Sequence, residues 1–365
     1  MSLGYDKGMQ VECQGSTGGR SNDRRGRVTI SEVASLAKVS VGTVSNVLNN
    51  PATVSPATRT RVLDAIERTG FVRSKAAHQL RVGKSLTVGI VVLDIANPFF
   101  AEIVRGAEGV LRSNGYVLMV CSSDESTELE RQYLRVLEEY RVDGLLITPA
   151  EGDLERLAVL ASRGIPTVLL DRHGEANSLC SVTVDDVRGG ELAAGHLFGL
   201  GHQTVAFVNG PATIRQCADR HQGARKALRR ARRRGAATLV EITVSALAID
   251  RGERAVEALL AARPRPTAVM CANDLIALGV LRGLAETGIA VPDEMAVVGY
   301  DDVTFASMLS PPLTSVRQPK YELGETAAQL FLEEASGLAH EHRSVRFEPE
   351  LIVRASSGRT RPRSK

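Results

Sequence analysis

The chain has 365 residues, 43% of them apolar and 24% charged, ordinary for a globular protein and enough for two or three domains with a sizeable core. Trp is absent and aromatic residues make up only 4%, which excludes an aromatic base-stacking platform as the main device. No apolar run reaches the roughly 18 residues of a membrane span and no export signal opens the chain, so a cytoplasmic protein without a membrane partner is expected. The five cysteines, Cys13, Cys121, Cys180, Cys217 and Cys271, are scattered and never spaced C-x-x-C, which fits reduced thiols. The net charge of +3 is uneven. Residues 20–84 carry twelve Lys/Arg against four Asp/Glu, whereas the chain from Ser85 onward is net acidic. A basic front on an acidic body points to a polyanion-binding head and a separate functional body.

In chain order, residues 1–27 are rich in Gly, Ser and Arg with no apolar period, and are expected to form a disordered basic arm. Thr29-Ile-Ser-Glu32 is a capping box that starts a helix with Val33, Leu36 and Ala37 inward. Ser40 caps a second helix with Val44, Val47 and Leu48 inward, ending at Asn49-Asn50-Pro51. Ser55-Pro56 starts a third, buried along Val62, Leu63 and Ile66 and stopped at Gly70. Three short helices with a tight first turn, over residues 28–72, are the layout of an all-α helix-turn-helix domain. Residues 73–85 form a linker whose Lys75–Leu80 segment is made of good helix formers but is too short to be stable alone.

From residue 86 to 358 apolar runs alternate with amphipathic helices. The runs are Thr87–Leu93, Val117–Cys121, Gly144–Thr148, Thr167–Leu170, Val205–Val208, Thr267–Cys271 and Ala296–Gly299, with a last strand-like run at Pro349–Arg354. Helices such as Phe100–Ser113, Thr127–Tyr140, Gly189–Leu200, Gln222–Arg234, Ile249–Ala262 and Leu275–Gly288 lie between them. That alternation means parallel sheets in a two-lobed α/β body, with a ligand between lobes at the carboxyl ends of strands. Lobe 1 is expected over about 86–184 and 318–346, lobe 2 over about 185–317 and 347–358, and a disordered tail over 359–365.

Thr29-Ile-Ser-Glu-Val-Ala-Ser-Leu-Ala-Lys-Val-Ser-Val-Gly-Thr-Val-Ser-Asn-Val-Leu-Asn49 resembles the DNA-binding head of the LacI family of transcriptional repressors. The likeness continues through Val54-Ser-Pro-Ala-Thr-Arg59, Ala76-Ala77-His-Gln-Leu80, Asp94-Ile-Ala-Asn-Pro-Phe-Phe100, Gly299-Tyr-Asp-Asp302 and Val316-Arg-Gln-Pro-Lys320, covering nearly all of the chain from Val28 to Ser356. The resemblance implies a homodimer that reads a near-palindromic operator and a body like periplasmic sugar-binding proteins, closing on a small effector. It implies that Val41, Gly42 and Asn46 face bases while Thr43, Ser45 and Asn49 face the DNA backbone. Asn46, where relatives often carry Arg, is suited to bidentate pairing with adenine. The resemblance also implies that the segment around Leu80 becomes helical on operator and inserts that leucine between base steps. Lys75, His78 and Arg81 are positioned to hold phosphates.

For the effector, Arg220, Asn273 and Asp301 each follow a strand and together offer a donor fork, an amide and a carboxylate, a set suited to a polyhydroxylated ligand. The corresponding positions contact sugar hydroxyls in sugar-responsive relatives. Phe99, in the loop after the first strand, can lay its face on a sugar ring, and Asp94 is a weaker candidate from that loop. Each has a plainer reading: an ion pair between lobes for Arg220 or Asp301, a helix cap for Asn273, core packing for Phe99. Asp171 reads as structural. The alternative effector is a purine or nucleoside, but Ile214 and Gln216 stand where the purine-responsive branch carries Arg and Thr. A sugar-binding protein without DNA function would leave the head without a purpose. An enzyme is not expected, nor a cofactor: His78–Ser85 fails as a phosphate loop, and no G-x-G-x-x-G follows a strand. His173, His196, His202 and His221 show no metal-ligand spacing, so no metal site is expected.

Overall fold

A computed structural model describes residues 28–71, 85–150, 154–172, 178–337 and 340–358. The expected arm and tail, and Lys75, His78, Leu80 and Arg81 of the linker, lie outside the described residues. The chain divides into two units, residues 1–83 and 84–365.

In the first unit, α1 (Ile30–Ala37), α2 (Val41–Asn49) and α3 (Pro56–Thr69) form as the caps dictate. Thr29 Oγ1 accepts from the Glu32 amide while Glu32 Oε2 accepts from the Thr29 amide at 2.6 Å. Lys38 turns the chain in the left-handed region, and Ser40 Oγ accepts from the Thr43 amide to start α2. Ser55 caps α3, Pro56 opens it, and Gly70 closes it at φ 64°. The core is Val33, Ala34, Ala37, Val44, Val47, Val62 and Ala65. Two expected core positions differ: Leu36 and Leu63 are exposed, at 41% and 50%. On helices this short the buried stripe is narrow, and the alanines one or two positions away allow close helix approach, so the stripe runs through Ala34 and Ala65.

The second unit holds two six-stranded sheets of matching topology. Lobe 1 comprises β1 (Thr87–Val92), α4 (Pro98–Ser113), β2 (Val117–Ser122), α5 (Thr127–Glu139), β3 (Gly144–Ile147), α6 (Leu154–Ser162), β4 (Thr167–Leu170) and β5 (Cys180–Val184). Lobe 2 comprises α7 (Asp186–Gly199), β6 (Thr204–Asn209), α8 (Arg215–Arg232), β7 (Thr238–Thr243), α9 (Ile249–Ala261), β8 (Ala268–Cys271), α10 (Asp274–Glu286), β9 (Ala296–Asp301) and β10 (Thr314–Arg317). The chain then returns to lobe 1 for α11 (Lys320–Ala335) and β11 (Ser344–Phe347), and crosses again for β12 (Glu350–Ile352). The orders are β11-β5-β4-β3-β1-β2 and β12-β10-β9-β8-β6-β7, all parallel except the antiparallel β10–β12 pair. Central strands such as β1, β3 and β4 are buried along their whole length, as parallel strands covered by helices on both faces must be. The lobes pack against each other through Leu93 and Phe99 on one side and Ile214, Cys217 and Val303 on the other, in one continuous apolar cluster.

Strands β5, β7, β10 and β11 escaped the sequence reading. β5 and β10 mix Ser and Thr with Val, and β7 and β11 are half-buried edges, each carrying one charged residue, Glu241 and Arg346. The α8 helix begins at Arg215, seven residues before the sequence-based start, with Ile214 offering no side-chain cap bond to mark it.

Helix approach fixes part of the site. A Cβ on Gly190 of α7 would lie 2.1 Å from the Arg220 carbonyl oxygen, and one on Gly189 would lie 2.0 Å from the Tyr300 hydroxyl. Only glycine at both positions lets α7, α8 and β9 bring those two side chains together.

Candidate functional site

The expected DNA-reading residues are presented by α2. Val41, Gly42 and Asn46 are exposed along one side of the helix, as base-edge readers must be. Thr43, Ser45 and Asn49 are half-buried: Thr43 shares a hydrogen bond with Ser40, and Asn49 Nδ2 donates to the Ser45 carbonyl at 2.6 Å and to Ser45 Oγ at 3.1 Å. These internal bonds hold the flanking polar groups in fixed rotamers beside the exposed trio.

Between the lobes, at the carboxyl ends of β4, β5, β8 and β9, stands a buried charge cluster centred on Arg220. Its Nε donates to Asp186 Oδ1 at 2.7 Å, its Nη1 donates to the Ala272 carbonyl at 2.7 Å, and its guanidinium lies over the Tyr300 ring, 3.8 Å from the centroid. Arg220 and Asp186 side chains are 5% and 7% exposed, so the pair is almost wholly dehydrated. Asp171, just after β4, takes two bonds from Gln216 Nε2, one at its carbonyl (2.6 Å) and one at Oδ2 (2.9 Å). Its Oδ1 is buried and has no hydrogen-bond partner among the described residues. Asp301, the last residue of β9, accepts from Gln318 Nε2 at 2.8 Å and from Asn97 Nδ2 at 3.5 Å. Asp171 and Asp301 both sit at positive φ, 50° and 105°, a strained backbone of the kind held at functional positions.

The cluster holds more buried carboxylate than cation, and its protonation reflects that. Burial drives Asp171 well above the ordinary aspartate range, with Asp186 adding to the effect and Arg220 opposing it. Burial likewise raises Asp301 from 3.8 to about 6, against the pull of Arg220 and Lys320. Asp274, which accepts from Ser315 Oγ at 2.6 Å and the Val303 amide at 2.9 Å, is also raised well above its usual value by burial, then by Asp301.

The remaining expected effector residues fall as follows. Asn273 N-caps α10, its Oδ1 accepting from the Ile276 amide at 2.8 Å, while its Nδ2 donates to the Leu247 carbonyl at 3.2 Å. Phe99 is 2% exposed, edge-on to Phe100 in the interlobe apolar cluster. Asp94 is half-buried and accepts from the Ala96 amide, closing the turn that leads to α4. Arg220, Asp301 and Asp171 are brought together, while Asp94 serves its own loop. Asn97, Asp186, Gln216, Tyr300 and Gln318 are cluster members that the sequence reading missed. Tyr300 lay within the motif Gly299–Asp302, and Asp186 is the first polar residue inside the helix after β5, so position at a strand's carboxyl end was the available signal.

Known proteins share this domain organisation. Residues 29–74 match the family of bacterial regulatory proteins, lacI family, and residues 194–357 match the periplasmic binding protein-like domain. The HTH-type transcriptional repressor PurR of Photobacterium profundum is 35% identical over 336 residues, covering 90% of this chain and 98% of the relative. PurR of Vibrio cholerae is 35% identical over 329 residues, covering 89% and 97%. Among solved structures, the lac repressor dimer bound to operator and the anti-inducer ONPF aligns with a TM-score of 0.77 at 28% identity, covering 92% of this chain and all of that one. A LacI family regulator from Enterococcus faecium with bound ribose aligns at 0.67 and 32%, covering 74% and 98%. The transcriptional regulator CelR in complex with cellobiose also aligns at 0.67 and 32%, covering 90% and 100%.

An α-helical DNA-binding head on a two-lobed parallel α/β body defines a ligand-responsive transcriptional regulator. The chain belongs to the LacI family and is a DNA-binding repressor of that kind. The family is made of transcriptional regulators, and no helix among the described residues is long and apolar enough to cross a membrane.

The buried carboxylates set a pH dependence. An aspartate whose folded pKa is raised keeps a proton that the unfolded chain has released, so its stabilising contribution is complete below about pH 4 and is lost as pH rises through its folded value. Stability in urea should therefore fall between about pH 4 and 6 through Asp301, with Asp171 and Asp274 acting in the same direction. Asp301→Asn should shrink that slope. A slope equal to wild type would show that Asp301 does not titrate in this window.

Proposed function

We propose that this repressor answers to a sugar or sugar derivative held between its lobes. The observation that carries the reading is the excess of buried carboxylate around one guanidinium: Asp171, with an oxygen that has no partner among the described residues, and Asp301, both at strand ends, whereas the Asn273 amide is committed to the Ile276 amide and the Leu247 carbonyl. Such a set accepts hydroxyl donors, and a site built for hydroxyls rejects analogues that lack them. That ribose and cellobiose occupy similar structures supports the class without choosing the sugar. The second reading, a purine or nucleoside effector, is favoured by the purine repressors among the relatives. Against it, Ile214 is buried in the interlobe cluster and Gln216 is spent on Asp171, leaving neither free to hold a base.

On the DNA side we assign base contacts to Val41, Gly42 and Asn46, phosphate contacts to Thr43, Ser45 and Asn49, and, from the resemblance, wedge and phosphate roles to Leu80 and to Lys75, His78 and Arg81. The working species is a homodimer on a near-palindromic operator. Effector held by Arg220, Asn273 and Asp301 changes lobe closure, and the shift in the first lobe decides whether two linker segments meet closely enough to become helical. A coupling of about 1–3 kcal/mol is sufficient for such a switch because the linker helix is marginal alone. No step requires catalysis.

Two outcomes test this reading. In a thermal-shift screen of pentoses, hexoses, disaccharides and purines, a sugar should raise the melting temperature with the logarithm of its concentration. Asp301→Asn should weaken that sugar by about 1.5–3 kcal/mol, roughly ten- to a hundredfold. A shift from hypoxanthine or guanine alone would replace the sugar with a purine. Separately, Asn46→Ala should cost roughly 1–3 kcal/mol, concentrated at one operator position. An equal loss on every duplex would reduce Asn46 to a backbone contact.

A further inference from the structure

Away from the interlobe cluster, four metal-ligating side chains converge in lobe 1. Cys180 opens β5, Glu334 lies in the last turn of α11, and His340 and His342 lie in the segment that enters β11. The parallel pairing of β11 with β5, Ser344 opposite Ser181, brings residues about 160 positions apart into one place. Cys180 is fully buried and the other three are partly buried. Cys180 Sγ is 3.0 Å from His340 Nε2 and 3.7 Å from His342 Nδ1. Glu334 Oε2 is 4.0 Å from His340 Nε2 and 3.9 Å from His342 Nδ1. All four ligand atoms lie within 4.8 Å of one another.

Cys180 is within hydrogen-bond reach of both imidazoles, but a central cation suits the set of four as a whole. Tetrahedral zinc bonds of about 2.0–2.3 Å put neighbouring ligand atoms roughly 3.3–3.6 Å apart, within a few tenths of an ångström of most of the separations here. Glu334 Oε2 is buried, too far from either imidazole for a good hydrogen bond, and has no hydrogen-bond partner among the described residues. A divalent ion would satisfy that oxygen, the thiolate and both ring nitrogens together. We propose that Cys180, Glu334, His340 and His342 form a zinc site with four protein ligands. One thiolate, two imidazoles and one carboxylate are borderline-soft ligands that favour Zn²⁺ over hard cations, and a full set of protein ligands makes the site structural. It fastens the end of α11 and the edge strand β11 to β5, just before the chain crosses to lobe 2 at β12.

The spacing of His173, His196, His202 and His221 does not bear on this site: Glu334, His340 and His342 are near one another in sequence, and Cys180 joins them only through the β5–β11 pairing. His196, His202 and His221 are bonded instead to Ser357, Thr267 and Glu241.

The test is uptake of Zn²⁺ and Co²⁺ by full-length protein stripped with a chelator. Wild type should take up one ion per chain, raise its melting temperature with zinc, and show thiolate-to-cobalt charge-transfer absorption. Cys180→Ser should abolish the charge-transfer band, and His342→Gln, at a partly exposed position that tolerates replacement should the buried serine prevent folding, should abolish stoichiometric uptake. A wild type that takes up no more metal than His342→Gln, or a Cys180→Ser protein that keeps the thiolate band, would overturn the proposal.

Discussion

The interlobe region is organised around one dehydrated guanidinium. Arg220 joins Asp186, the end of β8 through the Ala272 carbonyl, and the ring of Tyr300 on β9, so three elements of lobe 2 share one cation. Taking an ion pair this far from water costs several kcal/mol per ion, and the attraction offsets that only when the geometry is good and the spare donors are bonded. At Arg220 the Nε–Asp186 bond, the Nη1 bond to the Ala272 carbonyl and the Tyr300 ring beneath the guanidinium supply that compensation. The same balance explains why Asp301 is the more informative position to alter: removing Arg220 leaves Asp186 buried and uncompensated, a change of about 3–5 kcal/mol that mixes folding with binding.

What surrounds the guanidinium gives the region its chemistry. Asp171 and Asp301 hang from strained backbone at strand ends, one tied to lobe 2 through Gln216 and the other to lobe 1 through Asn97. Together with the bond from the Leu247 amide to Glu125, these are direct polar links between lobes. On the reading proposed above, a ligand that competed for Gln216 or Asn97, or that supplied donors to the Asp171 oxygen, would alter these links between lobes. On that reading, binding and lobe geometry would draw on the same few hydrogen bonds, which is the physical requirement for coupling.

Much of this was legible in the sequence because it is local. Thr29–Glu32, Ser40 and Ser55-Pro56 announce the helices of the head through bonds spanning three residues, and the caps formed as written. The fully apolar strands of the body were equally plain. Leu36 and Leu63 misled because the helix stripe turned toward neighbouring alanines, a choice made by helix packing. Strands β7 and β11 were hidden because they are half-buried edges in which polar and charged residues break the apolar run. Arg220 and Asp301 of the cluster follow strands, a place legible in the sequence, and Asn273 takes the plainer of its two readings as a helix cap, whereas Asp186, Gln216 and Tyr300 acquire their positions from glycine-mediated helix approach and from pairing across lobes. The Cys180–His340 juxtaposition has the same origin, in a strand pairing that sequence spacing does not encode.

The central claim is that the interlobe ligand and operator DNA act on one equilibrium. Its most direct test is calorimetric titration of the most stabilising sugar into the protein with and without saturating operator, beside operator binding measured with and without that sugar. Coupling predicts that operator changes the sugar's dissociation constant by the factor by which the sugar changes the operator's, about 5–150-fold in either direction. A sugar that binds equally well to free and operator-bound protein would contradict it.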